Sequence, residues 1–302
     1  MELLAINTLA QVYKIAGGPE GGTFIIYSKI ISSIGSGRNI NIESVSSFGS
    51  IDNVKKVEKN EVQFAIAYSG HVYQALKGLL RGDSRQYHNI MAVGYLYGAA
   101  AQLAVKVDKE ISSVEQLKGL KIGMGNQGSG AADTAELFFR EMDMWNHITP
   151  YYQSYQKIVD EFIQGNVNAF WLFTSFPNPS ITFASQKSTI TLLNTYNALD
   201  KRNIFSKYPY YTECSIPENT YHQVKKEIKT FQDSALLIAH KSVPSKIVAK
   251  LSYFIYSPKG LAMFKKSPYV SEKLTAKKGL KGVVTTLHPG AIAFWKKKGL
   301  LK

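Results

Sequence analysis

Short apolar runs alternate with stretches of helical periodicity along the first third of the chain. A strand–helix–strand order of this kind predicts a parallel sheet with helices on both faces. The predicted strands of this part are residues 11–16, 39–45, 62–67 and 89–96, and the predicted helices are residues 23–34, 50–59 and 70–80.

A second series of elements follows, and an apolar strand then returns near the end of the chain. The later elements are predicted as strands at 102–107, 120–124, 167–173 and 234–239 and as helices at 130–142, 155–164 and 244–256. With 302 residues, about two domains are expected. We predict a first lobe of residues 11–97 plus 213–302 and a second lobe of residues 98–212. Residues 1–10 are predicted to be an irregular N-terminal arm or the remnant of a secretory signal.

A glycine-rich turn with the sequence GGPEGGTF, residues 17–24, separates the first strand from the first helix. Glycine allows the backbone to approach a bound group closely, since no Cβ intervenes. The helix that follows directs free N–H groups and its positive dipole end at the turn. The pattern predicts an anion site, and a tight strand-to-helix connection without a ligand is the alternative.

A second turn of the same kind, GMGNQGSG at residues 123–130, lies between a predicted strand and a predicted helix. Gly123, Gly125 and Gly128 satisfy G-x-G-x-x-G, so a dinucleotide-binding oxidoreductase is an alternative function. That function needs an acidic residue at the end of the next strand, whereas Asp143 lies at a predicted helix end. If the lobes face each other, this turn and the first one meet in a cleft that suits a small anionic solute.

An aromatic strand, residues 168–179, ends in a polar turn that contains two prolines. Strand alternation places Trp171 and Phe173 on one face, opposite Phe170. That face is a candidate wall of the cleft, and an ordinary core strand is the alternative.

The sequence contains no pattern of catalytic or metal-binding residues. The histidines form no pair with metal-ligand spacing, and Cys214 is the single cysteine. We therefore predict no enzymatic activity, no cofactor and no metal. The net charge is +14, but the lysines are spread along the chain without a nucleic-acid motif. A nucleic-acid-binding or surface-binding protein is therefore only a rival interpretation. The longest uncharged apolar run, residues 91–105, is too short to span a bilayer.

Taken together, the motifs resemble the TAXI family of solute-binding proteins, the extracytoplasmic receptors of TRAP transporters. Ten segments carry the resemblance in the family's order, from about residue 12 to the C-terminus. They are GGPEGGTF (17–24), SFGSIDN (47–53), FAIAYSG (64–70), LYGAAAQ (96–102), SVEQLKG (113–119), GNQGSGA (125–131), residues 168–179, FQDSAL (231–236), LHPGA (287–291) and FWKKKGL (294–300).

This resemblance implies an α/β chain with the two-lobed fold of type II periplasmic binding proteins. Two mixed sheets flanked by helices would enclose a ligand cleft between the lobes. It also implies a periplasmic and monomeric receptor that delivers a small carboxylate, such as glutamate or 2-oxoglutarate, to a TRAP membrane permease. The implied ligand-binding residues are Gly22, Thr23, Phe24, Ser69, Gln127, Ser129, Ala131, Trp171, Phe173 and Phe176.

The chain departs from the family pattern at two of these places. Many members have tyrosine where this chain has Phe24, and polar residues where it has Ala131 and Ala132. The departures remove polar side chains from the predicted site, so the ligand is expected to differ from that of some relatives.

Overall fold

Two long antiparallel strands form the middle of the molecule. The computed structural model describes residues 11–267 and 274–302. Strand β4 covers Ile90–Lys106 and strand β10 covers Ile228–His240, and they pair from Gln232↔Ala100 to His240↔Ile90. The sequence of β4 is almost entirely apolar and its residues are buried nearly throughout. Such a run is typical of a strand that is covered on both faces.

The remaining strands extend this pair on both sides into one mixed sheet of ten strands in the order β2-β1-β3-β10-β4-β7-β5-β6, with β8 on β4 and β9 on β10. Strands β1, β2 and β3 pair in parallel, as do β5, β6 and β7. Their bounds are Tyr13–Ala16 (β1), Ile42–Val45 (β2), Phe64–Tyr68 (β3), Lys121–Gly125 (β5), Thr149–Tyr152 (β6), Ala169–Thr174 (β7), Ile190–Leu192 (β8) and Thr212–Ile216 (β9).

Helices follow most of the strands and cover the sheet. They are Thr23–Ser36 (α1), Ser50–Glu58 (α2), Ser69–Lys77 (α3), Gly130–Glu141 (α4), Tyr155–Gln164 (α5), Pro179–Lys187 (α6), Tyr196–Asp200 (α7), Ile204–Lys207 (α8), Ser245–Ile255 (α9), Pro258–Lys265 (α10) and Pro289–Lys297 (α11). Helices α1, α2 and α3 pack with the first half of the sheet (β1, β2 and β3), whereas α4 and α5 pack with its second half (β5, β6 and β7).

The predicted fold class is confirmed, with one difference in how the two sheets are joined. We predicted separate strands at 89–96 and 102–107, but residues 90–106 are a single strand. Residues 98–101, which join the two predicted strands, stay extended because they pair with β10 at 98–100 and with β7 from residue 100 onward. The two predicted sheets are consequently two halves of one continuous sheet.

The division into lobes remains a prediction, and the pairing of β10 bears on its second boundary. Residues 228–232 of β10 pair with β9, and residues 235–239 pair with β3 in the first half of the sheet. This pattern favours a return to the first lobe near Asp233 rather than at residue 213. The predicted arm or signal remnant at residues 1–10 lies outside the described residues.

Candidate functional site

A cavity lies between the two halves of the sheet, where both glycine-rich turns meet. The space between its lining atoms is about 400 Å³, and this figure includes solvent outside the cavity mouth. We call it the interlobe cavity, and it is lined by Pro19, Gly22, Thr23, Phe24, Phe48, Gly49, Ser50, Tyr68, Tyr97, Asn126, Ser129, Gly130, Ala131, Tyr155, Phe173 and Thr174. Of the ten residues predicted to bind ligand, six line it: Gly22, Thr23, Phe24, Ser129, Ala131 and Phe173.

The other four predicted residues lie outside the interlobe cavity. The Ser69 hydroxyl donates to the buried carboxylate of Asp233, and Gln127 lines a neighbouring crevice. Phe176 packs against the hydrophobic core and is partly buried.

Trp171 is fully buried in the core, with its ring 5.0 Å from that of Phe138. It does share a face with Phe173, and the two rings stack 6.4 Å apart. Strand alternation therefore predicted the correct face. Trp171, however, lies two residues before Phe173 in β7, and at that position the face packs in the core instead of lining the cavity.

The N-terminus of α1 faces the cavity without a capping side chain. Gly22 is the N-cap residue, no side chain caps the helix, and its first turn contains no acidic residue. Glu20, in the preceding turn, is exposed and pairs with Lys29 at 2.9 Å. The first N–H groups and the positive end of the α1 dipole are therefore available to a bound anion.

Four other helices begin near the cavity. The N-terminus of α5 is capped by the Ser154 side chain, and each of the other three has an acidic group at its N-terminus. Asp52 lies in the first turn of α2 and accepts a hydrogen bond from the Phe48 N–H at 3.1 Å. The carboxylate of Asp233 accepts from the Gly70 N–H of α3 at 2.9 Å. In α4, Asp133 lies in the first turn. Their dipoles are thus already compensated from within the chain.

Hydroxyl groups connect the two halves across the cavity. The Thr23 Oγ1 lies 2.6 Å from the Thr174 Oγ1 and 2.7 Å from the Ser175 Oγ. The Tyr68 hydroxyl donates to the Phe173 carbonyl at 2.5 Å. These bonds join the two halves at the wall of the cavity.

An ionic cluster also bridges the halves next to the cavity. His71 on α3 lies 3.3 Å from Asp133 on α4, and its other ring nitrogen lies 2.9 Å from the Ser50 Oγ. Arg81 pairs with Asp133 at 3.0 Å and also with Glu136. Burial acts to raise the pKa of Asp133, but the hydrogen bond to His71 and the charges of His71 and Arg81 outweigh it and lower that pKa.

The pKa of Asp233, which is more deeply buried than Asp133, shifts in the opposite direction. Its partners are neutral donors: the Ser69 hydroxyl and the N–H groups of Gly70 and Ser234. Burial dominates and raises the pKa of Asp233 to about 6. This carboxylate stabilises the start of α3 at the place where β10 passes between the halves.

Six polar residues of the cavity wall are not among the predicted ligand-binding residues: Ser50, Tyr68, Tyr97, Asn126, Tyr155 and Thr174. Ser50 and Tyr68 had a usable signal, because each lies where the chain passes from a strand into a helix at the carboxyl edge of the sheet. Tyr97 lies inside β4, and Tyr155 begins α5 after a strand that was not predicted. No local pattern marks those two residues.

A protein-family model described as the NMT1-like family matches residues 15–299. The chain belongs to the NMT1-like family. This match covers both halves of the sheet and both glycine-rich turns.

Solved structures show which fold the family member has. PhnD1 from Prochlorococcus marinus (MIT 9301), in complex with methylphosphonate, has a TM-score of 0.55 at 13% identity over 97% of this chain and 100% of that chain. A protein described as a periplasmic transporter has a TM-score of 0.56 at 12% identity over 89% and 91%. The glycine betaine and L-proline-binding protein ProX from Borrelia burgdorferi has a TM-score of 0.51 at 14% identity over 76% and 75%. At these identities the likeness shows the fold, which is that of periplasmic binding proteins.

Two further observations limit what the described part of the chain contains. Within residues 11–267 and 274–302, no three His, Cys, Asp or Glu side chains are grouped so that they could hold a metal ion. In the same residues, no helix has both the length and the apolar character needed to span a bilayer.

Proposed function

We propose that this chain is the solute-binding subunit of a membrane transporter and that it binds a small organic anion in the interlobe cavity. The observation that carries the proposal is the N-terminus of α1, which faces the cavity with no capping side chain and no acidic residue in its first turn. A buried helix end of this kind is stabilised by an anion. Hydrogen bonds between such N–H groups and a charged oxygen contribute about 1.5–3 kcal/mol each.

The finer assignment is a periplasmic receptor of a TRAP transporter, of the TAXI type, for a carboxylate such as glutamate or 2-oxoglutarate. Support comes from the ordered sequence motifs and from membership of the NMT1-like family. A neighbour in fold, PhnD1, was solved with methylphosphonate, which is also an oxyanion. The receptor would deliver its solute to the permease and has no catalytic role in this proposal.

The rival dinucleotide site is disfavoured by the geometry around Gly123, Gly125 and Gly128. A Cβ on Gly123 would lie 2.3 Å from the Ile158 side chain, so this glycine serves the packing of α5 on β5. The N-terminus of α4 is capped by Ser129, whose Oγ accepts from the Ala132 N–H. Asp143, the candidate ribose ligand, is exposed and pairs with Arg202 at 2.6 Å.

A thermal-shift screen tests the proposal directly. The protein is heated with millimolar succinate, glutarate, 2-oxoglutarate, L-glutamate, L-aspartate, methylphosphonate and, as the rival ligand, NADH. A solute present at 100 times its Kd adds about 2.7 kcal/mol of stability, which is a shift of several degrees. At least one small anion should produce it. A shift with NADH and with none of the anions would overturn the proposal.

The TRAP assignment needs a second measurement with the permease in proteoliposomes. Uptake of the bound solute should require an imposed ion gradient and should proceed without ATP. Uptake that depends on ATP would leave the solute-binding function intact and refute the TRAP assignment.

A further inference from the structure

The hydroxyl of Tyr97 is a buried polar group on the wall of the interlobe cavity. Tyr97 is 1% exposed and lines the interlobe cavity. Its hydroxyl has no hydrogen-bond partner of normal geometry among the described residues. A buried polar atom without a partner is uncommon in a native protein and calls for an explanation.

The Tyr97 hydroxyl lies next to the uncompensated N-terminus of α1. A hydrogen bond from the side chain of Thr23, the first residue of that helix, acts to lower the pKa of Tyr97. The Thr23 hydroxyl is closer to Thr174 and Ser175, with which it makes its bonds of normal geometry. Burial raises the pKa of Tyr97 well above its ordinary value of 10.0, so the phenol keeps its proton at physiological pH. It is consequently a permanent donor beside the positive end of a helix dipole.

Other buried tyrosines show that this chain normally pairs such hydroxyls. Tyr68 donates to the Phe173 carbonyl at 2.5 Å, and Tyr256 donates to the Tyr95 carbonyl at 2.7 Å. Tyr221 donates to the Gln102 side chain. The hydroxyl of Tyr97 differs from these three, and Tyr97 lines the interlobe cavity.

The charges around the cavity are as informative as its donors. Among the described residues that line it, there is no Asp, Glu, Lys, Arg or His. The nearest carboxylate cluster, at Asp133 and Glu136, lines the neighbouring crevice and is already paired with His71 and Arg81. An ammonium group, which can only donate, would find no carboxylate here and would face the positive end of α1. Burying an unpaired charge of that kind is strongly unfavourable.

We propose that the interlobe cavity selects small oxyanions that carry no ammonium group and that the Tyr97 hydroxyl donates a hydrogen bond to the bound oxyanion. This inference rests on the proposed solute-binding function and narrows its substrate class. Within the carboxylates, it favours keto acids and simple dicarboxylates over amino acids.

Isothermal titration calorimetry with matched pairs of solutes tests the ligand class. The pairs are 2-oxoglutarate and L-glutamate, succinate and L-aspartate, and methylphosphonate and aminomethylphosphonate, all at pH 7.0. In the pair that binds, the member without ammonium should bind at least tenfold more tightly. Tighter binding of the amino member would overturn the inference, because Asn126 or the aromatic rings would then accept the ammonium. If no pair binds, the proposed function itself fails.

Two substitutions test the role of Tyr97 and are chosen to dissociate affinity from stability. Tyr97→Phe should weaken binding of the preferred anion about tenfold or more, since a hydrogen bond to a charged oxygen is lost. It should lower the midpoint of urea unfolding less than Tyr256→Phe does, because the Tyr97 hydroxyl has no partner of normal hydrogen-bond geometry among the described residues. Tyr256→Phe, the control, should lower that midpoint and leave the affinity unchanged. An affinity unchanged by Tyr97→Phe would refute the donor role, whatever the ligand preference.

Discussion

The two glycine-rich turns occupy equivalent places between a strand and a helix, yet their helices differ in how the first turn is satisfied. At α1, Gly22 provides no capping side chain and no acidic residue follows. At α4, the Ser129 Oγ accepts from the Ala132 N–H at 3.2 Å, and Asp133 lies in the first turn. The N–H groups at the start of α1 are therefore left for a ligand. At the start of α4, the polar groups bind within their own helix or to the opposite half of the molecule.

This difference shows that a glycine turn before a helix predicts where an anion can bind but not whether it does. The residue at the N-cap and the charges of the first turn decide that, because they compete with the ligand for the same N–H groups. We therefore interpret α1 as the anion-binding side of the cavity and α4 as the side that closes it.

The largest loss of anion affinity is expected when α1 receives an acidic residue at its N-terminus, as α4 already has. Gly22 has φ −92° and ψ 159°, a conformation open to any residue, and a Cβ there would lie 3.2 Å from the Pro19 carbonyl oxygen. In Gly22→Asp the carboxylate should cap α1 and repel the anion. Two like charges about 4 Å apart in a partly buried site cost about 4 kcal/mol, so affinity should fall at least about 100-fold.

Calorimetry of the tightest anion in the screen measures that loss, and urea unfolding measures the gain from capping. Stability should change by only a few tenths of a kcal/mol, because glycine is itself well tolerated at an N-cap. Gly22→Asn is the matched control, because it caps without charge and should lose much less affinity. Equal losses in the two variants would show that shape, not charge, excludes the ligand and would remove the electrostatic contrast between the turns.

The next effect concerns the carboxylate that holds the α4 side closed. Asp133→Asn leaves His71 and Arg81 without their buried partner, so the free energy of unfolding at pH 7 should fall by about 1–3 kcal/mol. Because the pKa of folded Asp133 is lowered from 3.8, its contribution is complete above that pH and is lost as the pH falls further. The difference between wild type and variant should therefore shrink below pH 3.8.

Urea unfolding at pH 7, 5 and 3 measures this dependence. Asp143→Asn is the control, since Asp143 is 83% exposed and its pair with Arg202 lies on the surface. That substitution should change stability by less than about 0.5 kcal/mol. A gap between wild type and Asp133→Asn that persists at the lowest pH would mean that the loss is one of packing rather than charge.

The sequence predicted those parts of the site that are formed by consecutive residues, and it missed the parts that depend on strand pairing. A strand, a glycine turn and a helix N-terminus are consecutive in the chain, so the positions of Thr23, Phe24, Ser129 and Ala131 on the cavity wall were predictable. Trp171 was misplaced because alternation fixes the face of a strand and not the depth of a residue along it. Tyr97 was missed because its position depends on β4 being one strand through both halves, which only the pairing with β10 and β7 establishes.

The smallest effect on anion affinity is expected for substitutions at the N-cap of α4. This experiment tests most directly whether the two glycine-rich turns have different roles. Ser129 is 5% exposed and lines the same cavity as Thr23. If its Oγ serves its own helix, Ser129→Ala should cost about 1 kcal/mol of stability. The affinity for the anion should then change less than threefold, because no donor to the ligand has been removed. Ser129→Asp restores an acceptor for the Ala132 N–H and should recover the stability. Its negative charge should lower the affinity for the anion, and the loss should be larger the closer the anion lies to residue 129. A loss above tenfold in Ser129→Ala would show that both helix N-termini grip the ligand and that the asymmetry between the turns ends when the cavity is filled.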